Sequence, residues 1–124
     1  MRNILFLILC LTACYGCTQN VQLNRVQGIR GPLAPVVLDG FVLFAVSAPD
    51  ASLVTLSGNF NGWDSQITPM KKDSTGIWSV KLPLTKGRKY YYKFVIDGFF
   101  LADPDNPDTV PDGFSGVNSV INVK

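Results

Sequence analysis

Residues 39–124 predict an all-β fold, an antiparallel β-sandwich, and three features carry that prediction. Short runs rich in aromatic and β-branched residues recur at regular spacing. Turn signals built from Gly, Pro, Asp and Ser separate them. No stretch offers an apolar helical face with caps.

The chain has 124 residues, room for one domain once its amino-terminal segment is set aside. Met1-Arg2-Asn3 is a short basic start, and Ile4 to Leu11 is an unbroken apolar run of eight residues. Crossing a bilayer takes about 20 apolar residues, so this run is expected to be a secretory signal peptide. Leu11-Thr12-Ala13-Cys14 looks like a bacterial lipobox, in which cleavage exposes a cysteine that carries lipid. The expected organisation is a lipoprotein signal peptide over 1–13, a lipid-anchored flexible tether over 14–38 and the β domain over 39–124. Cys14 is then the lipidation site, and the protein an exported, membrane-anchored lipoprotein of the bacterial envelope. The tether follows from composition: Thr18 to Val36 is polar, carries Gly28, Gly31, Pro32 and Pro35, and sustains no period. Extended, its roughly 20 residues reach about 60 Å.

Strands are expected at Phe41–Ser47, Leu53–Ser57, Ile77–Leu82, Lys89–Ile96, Phe99–Ala102 and Ser119–Val123. Between them lie Ala48-Pro49-Asp50, a corner at Gly62, Asp73-Ser74-Thr75-Gly76, Lys86-Gly87 and Asp97-Gly98, the last a favoured two-residue type I′ turn. Phe60, Trp78, Tyr92 and Phe94 are the expected core aromatics. Alternation along Lys89–Ile96 puts Tyr90, Tyr92, Phe94 and Ile96 on one face and Tyr91, Lys93 and Val95 on the other.

Composition excludes several functions. Eleven Lys plus Arg against nine Asp give +2, and losing Arg2 with the signal leaves ten against nine, too balanced for a phosphate-tracking surface. Lys71-Lys72 and Lys86-Gly87-Arg88-Lys89 are expected to be solvated turns. With no His there is no Cys-His pair, and with Cys10 in the signal and Cys14 lipidated, Cys17 has no disulfide partner. No cofactor or metal is expected. The run Ala102 to Asp108 alternates oxygen ligands but lacks the Gly turn and distal bidentate Glu of a calcium loop, and its two prolines and Asx turns explain it better. Catalysis is not expected either, because every carboxylate is an Asp in or beside a turn signal.

The candidate site begins at Gly58-Asn59-Phe60-Asn61-Gly62-Trp63, where Gly and Asn shape a tight corner and leave a large ring facing water. The hairpin Tyr90 to Phe100 follows, then Gly113-Phe114-Ser115-Gly116-Val117-Asn118. Together these stretches, over about Asp39 to Lys124, resemble the glycogen-binding domain of the AMP-activated protein kinase beta subunit and its relatives in carbohydrate-binding module family 48. The resemblance implies an early-set immunoglobulin-like sandwich and non-catalytic recognition of alpha-1,4-glucan such as glycogen, starch or maltodextrin. By motif it assigns ligand binding to Trp63, Lys93, Phe100, Phe114 and Asn118. Phe100 stands where relatives have a second Trp, and Phe114 where they have a projecting Leu. The implied partners are an alpha-glucan and, through the lipid, a membrane, with no nucleic acid. The alternative is an interaction adaptor for an envelope protein, which would disperse the aromatics over the surface.

Overall fold

The computed structural model describes residues 33–124. The expected signal peptide, the expected lipidation site Cys14 and the expected tether up to residue 32 lie outside the described residues. The rest folds as nine strands: β1 (Val36–Leu38), β2 (Phe41–Ser47), β3 (Val54–Gly58), β4 (Lys71–Lys72), β5 (Ile77–Leu82), β6 (Arg88–Ile96), β7 (Phe99–Leu101), β8 (Thr109–Pro111) and β9 (Val117–Val123). They form two antiparallel sheets, one ordered β1-β2-β5-β4 and the other β3-β6-β9-β8, with β7 paired to the far end of β6. This is the immunoglobulin-like β-sandwich expected from the sequence.

The core follows from the two-residue side-chain period of each strand. Val42, Phe44 and Val46 of β2 point inward, as do Val54 and Leu56 of β3 and Tyr90, Tyr92 and Phe94 of β6. Burying one such side chain stabilises the fold by roughly 1.5–3 kcal/mol. Tyr92 sits at the centre, edge-on to Phe44 at 4.8 Å and to Phe94 at 5.9 Å between ring centroids. Trp78 of β5 is buried and its indole N–H donates to the Ala48 carbonyl at 2.9 Å, so the ring is fixed at both ends.

The structure corrects three sequence expectations. The sequence places Val36, Val37 and Leu38 in the tether, but they pair with Leu43, Val42 and Phe41, respectively, as β1, across a turn in which Gly40 takes a φ of 81°. Lys71-Lys72 is a short edge strand on β5 rather than a turn, although both side chains stay exposed. Phe60 is half-buried rather than central. It lies in the corner after β3 and packs at the rim of the core, 6.1 Å from Phe44 and 6.2 Å from Tyr90.

A buried polar cluster fixes the connection from β7 to β8. The Tyr92 hydroxyl donates to Asp103 Oδ2 at 2.6 Å, Asn106 Nδ2 donates to the Tyr92 oxygen and to the Val120 carbonyl, and the Asp103 amide donates to Ser119 Oγ at 2.7 Å. Burial pushes the Asp103 carboxyl above the usual carboxylate range and the Tyr92 hydroxyl above its ordinary value. Asp103 Oδ1 and Asn106 Oδ1 each accept an amide two residues on, from Asp105 and Asp108. Asp103 and Asn106 thus close a pair of Asx turns, and their side-chain oxygens are taken up by these turns and by Tyr92. Among the described residues no group of three or more metal-ligating side chains converges.

Candidate binding groove

Trp63, Lys93, Phe100, Asp112, Phe114 and Asn118 line one groove of about 510 Å³ on the outward face of the β3-β6-β9-β8 sheet. The register explains much of the convergence. Lys93 lies between the inward residues Tyr92 and Phe94, so it points outward. Phe100 is opposite Val95 of the same face, and Asn118 precedes Ser119, which pairs with the inward Tyr92. Three neighbouring strands thus present one residue each to the same side.

Trp63 is brought to the groove by the corner after β3. Asn61 locks that corner: its Oδ1 accepts the Gly58 amide at 3.1 Å, and its Nδ2 donates to the Leu56 carbonyl and to Thr68 Oγ1, both at 2.9 Å. The Trp63 amide donates to the Gly58 carbonyl at 2.8 Å, and Asn59 exchanges hydrogen bonds with the Tyr91 backbone. Gly58 has no room for a side chain, since a Cβ there would collide with the Tyr91 carbonyl and the Phe60 ring. The result is a Trp63 φ of 58°, in the left-handed region that an aromatic residue seldom occupies, with 37% of the residue exposed.

The opposite wall is the loop between β8 and β9, organised by Asp112. Its Oδ1 accepts the amides of Phe114 at 2.7 Å and Gly116 at 3.1 Å, and its own amide donates to the Gly116 carbonyl. Phe114 is left projecting, 87% exposed. The second carboxylate oxygen of Asp112 accepts from Lys93 Nζ at 2.7 Å, and the two side chains are only 17% and 11% exposed. The Lys93 hydrogen bond first, then the Phe114 amide, hold the Asp112 carboxyl down to about 2. Asp112 is the residue that sequence reasoning missed. Its place after Pro111 marks a turn, but its pairing with a lysine 19 positions away has no local signature.

Chemically, the groove offers two exposed aromatic faces, an apolar tip, an ammonium with protons to spare and an amide. Aromatic rings supply area to the apolar face of a flat, hydroxylated ring, while the amine and amide reach its rim. The arrangement has the features of a small-ligand binding groove.

Comparison with known proteins specifies the class. Carbohydrate-binding module 48, the isoamylase N-terminal domain, matches residues 33–110, and the chain belongs to that family. Trp63, Lys93 and Phe100 fall inside the match, whereas Asp112, Phe114 and Asn118 lie beyond it. The chain is similar to 1,4-alpha-glucan branching enzymes. It is 46% identical to that of Aquifex aeolicus (strain VF5) over 71 residues, 54% of this chain and 11% of the relative. It is 36% identical to that of Pseudomonas syringae pv. tomato over 87 residues, 68% of this chain and 10% of the relative. The chain thus spans about a tenth of the length of the curated relatives it matches.

Proposed function

We propose that the chain binds alpha-1,4-glucan in this groove, is itself non-catalytic and is held at a membrane of the bacterial envelope by lipid on Cys14. The observation that carries the glucan part is the convergence of Trp63, Lys93, Phe100, Phe114 and Asn118 on one groove. Family membership and the glucan named in the relatives' activity support the same ligand. Trp63 and Phe100 act as platforms for successive glucose faces, Phe114 enters the curl of the chain, and Lys93 and Asn118 bond the hydroxyl rim. An adaptor surface would have scattered these aromatics.

The charge pattern supports a binder over a hydrolase. Glycoside hydrolysis uses two carboxyl groups, one with a raised pKa so that it can donate a proton. The groove lining holds one carboxylate, Asp112, and its pKa is lowered by Lys93.

Binding is expected to be weak, on the order of 10 µM to 1 mM, because an open groove covers one side of a neutral sugar and must offset the cost of association. Titration calorimetry of the full chain in mild detergent against maltoheptaose, beta-cyclodextrin and cellohexaose tests this. Heat with the first two and little with the third is expected. Absence of heat with any alpha-glucan, or equal binding by Trp63→Ala, would overturn the proposal.

A further inference from the structure

We infer that Asp112 is a charge-selectivity residue: its pairing with Lys93 makes the groove electrically neutral and directs it to uncharged glucan over glucan that carries phosphate esters. This role rests on the glucan binding proposed above.

Lys93 and Asp112 are the two charged residues of the lining; the others are Trp63, Phe100, Phe114 and Asn118. An unpaired ammonium in such a groove would be a strong point attractor for a phosphate. Here it is held at 2.7 Å by a carboxylate, and neither side chain is free to swing, since both are more than four-fifths covered. Asp112 is anchored from behind as well, through Oδ1 and the amides of Phe114 and Gly116. A phosphate that takes the remaining ammonium protons lies against the Asp112 carboxylate and is repelled by it, and displacing that carboxylate would also undo the Phe114 loop. A sugar hydroxyl meets no such obstacle. It accepts one of the two remaining ammonium protons and leaves the pair intact. The depressed carboxyl pKa keeps the negative charge in place at neutral pH.

The test is a pair of titrations of the full chain, with maltoheptaose and with maltoheptaose bearing one phosphate monoester, read as the ratio of the two Kd values. Asp112→Asn keeps an acceptor for the loop amides but removes the charge. At about 20 mM salt it is expected to shift the ratio roughly tenfold toward the phosphorylated sugar, and the shift should shrink at about 500 mM, where screening acts within a few ångströms. Lys93→Gln leaves Asp112 alone and should move the ratio in the opposite direction. It decides the matter if Asp112→Asn does not fold. Asp50→Asn makes the same charge change in the turn after β2, outside the groove, and should leave the ratio where it was. A wild-type chain that binds maltoheptaose while its Asp112→Asn variant keeps the wild-type ratio overturns the role of Asp112 alone. So does an equal shift in Asp50→Asn. A wild-type chain that binds neither sugar overturns the glucan proposal and this role with it.

Discussion

Trp63 combines a left-handed backbone with an exposed ring, a conformation that costs a non-glycine residue about 1–3 kcal/mol and persists because Asn61 and Gly58 fix the corner around it. Trp63→Ala is therefore expected to leave the melting temperature nearly unchanged, and Trp63→Gly to be at least as stable as Trp63→Ala, while both lose glucan binding. Trp78→Ala, which empties a buried site, should instead cost roughly 3–5 kcal/mol, a large share of the stability of so small a domain. Thermal melts of the three variants check the ranking, and its reversal would exchange the roles of the two tryptophans. Asp103 yields a prediction with the opposite sign to Asp112. Its native carboxyl is raised by burial above the unfolded value of about 3.9, so the native state takes up the proton first as pH falls. Its contribution to stability grows as pH drops through the raised native pKa and is complete below about 3.9. Wild type should gain on Asp103→Asn between pH 7 and about 4 in denaturant melts, and a flat difference would refute the assignment. Asp112 does not mask this trend. Its contribution is full above about 3.9 and is lost only as pH falls through about 2.

The corner after β3 behaves as one element, and Asn61 closes it with three hydrogen bonds. Asn61→Ala strands the Gly58 amide and the Leu56 carbonyl, and the expected loss is about 1–3 kcal/mol together with a weaker grip on glucan, because Trp63 is no longer held. A variant that loses stability but binds maltoheptaose as tightly as wild type would show that the corner does not position the ring. The corner also shows what is legible in a sequence. Local chemistry is: Asp97-Gly98 takes positive φ at both residues, 49° and 90°, as its dipeptide foretells, and the six expected strands fall within two residues of those observed. Asp39-Gly40 is the same dipeptide and marks the turn from β1 to β2. Val36-Val37-Leu38 before it is too short a run to stand out beside Pro35. β4 and β8, of two and three residues, are edge strands whose pairing supplies nearly all their signal. Alternation placed Lys93, but nothing local could announce that Asp112 would close on it, since that contact exists only once β6 and the β8–β9 loop are assembled.

At the scale of the whole molecule, a weak single-site groove acquires meaning from how many copies face a ligand at once. Glycogen and starch are polymers with many equivalent chain ends, and a chain lipidated at Cys14 would be displayed in the plane of a membrane, so one polymer could engage several grooves together. Second and later contacts are then intramolecular, and overall affinity can exceed that of one site by about 10²–10⁴-fold without any new contact. Vesicles carrying the lipidated full chain are accordingly expected to capture glycogen orders of magnitude more tightly than the same chain binds maltoheptaose. The gain should fall as surface density is lowered. Cys14→Ser should leave the detergent phase, fail to incorporate labelled palmitate and lose the polymer gain, while its maltoheptaose affinity stays at the wild-type value, because the groove is lined by residues between Trp63 and Asn118. Unchanged palmitate incorporation in Cys14→Ser would remove the anchor from this account. Equal capture of glycogen by anchored and unanchored chain would remove the avidity and leave the groove to act alone.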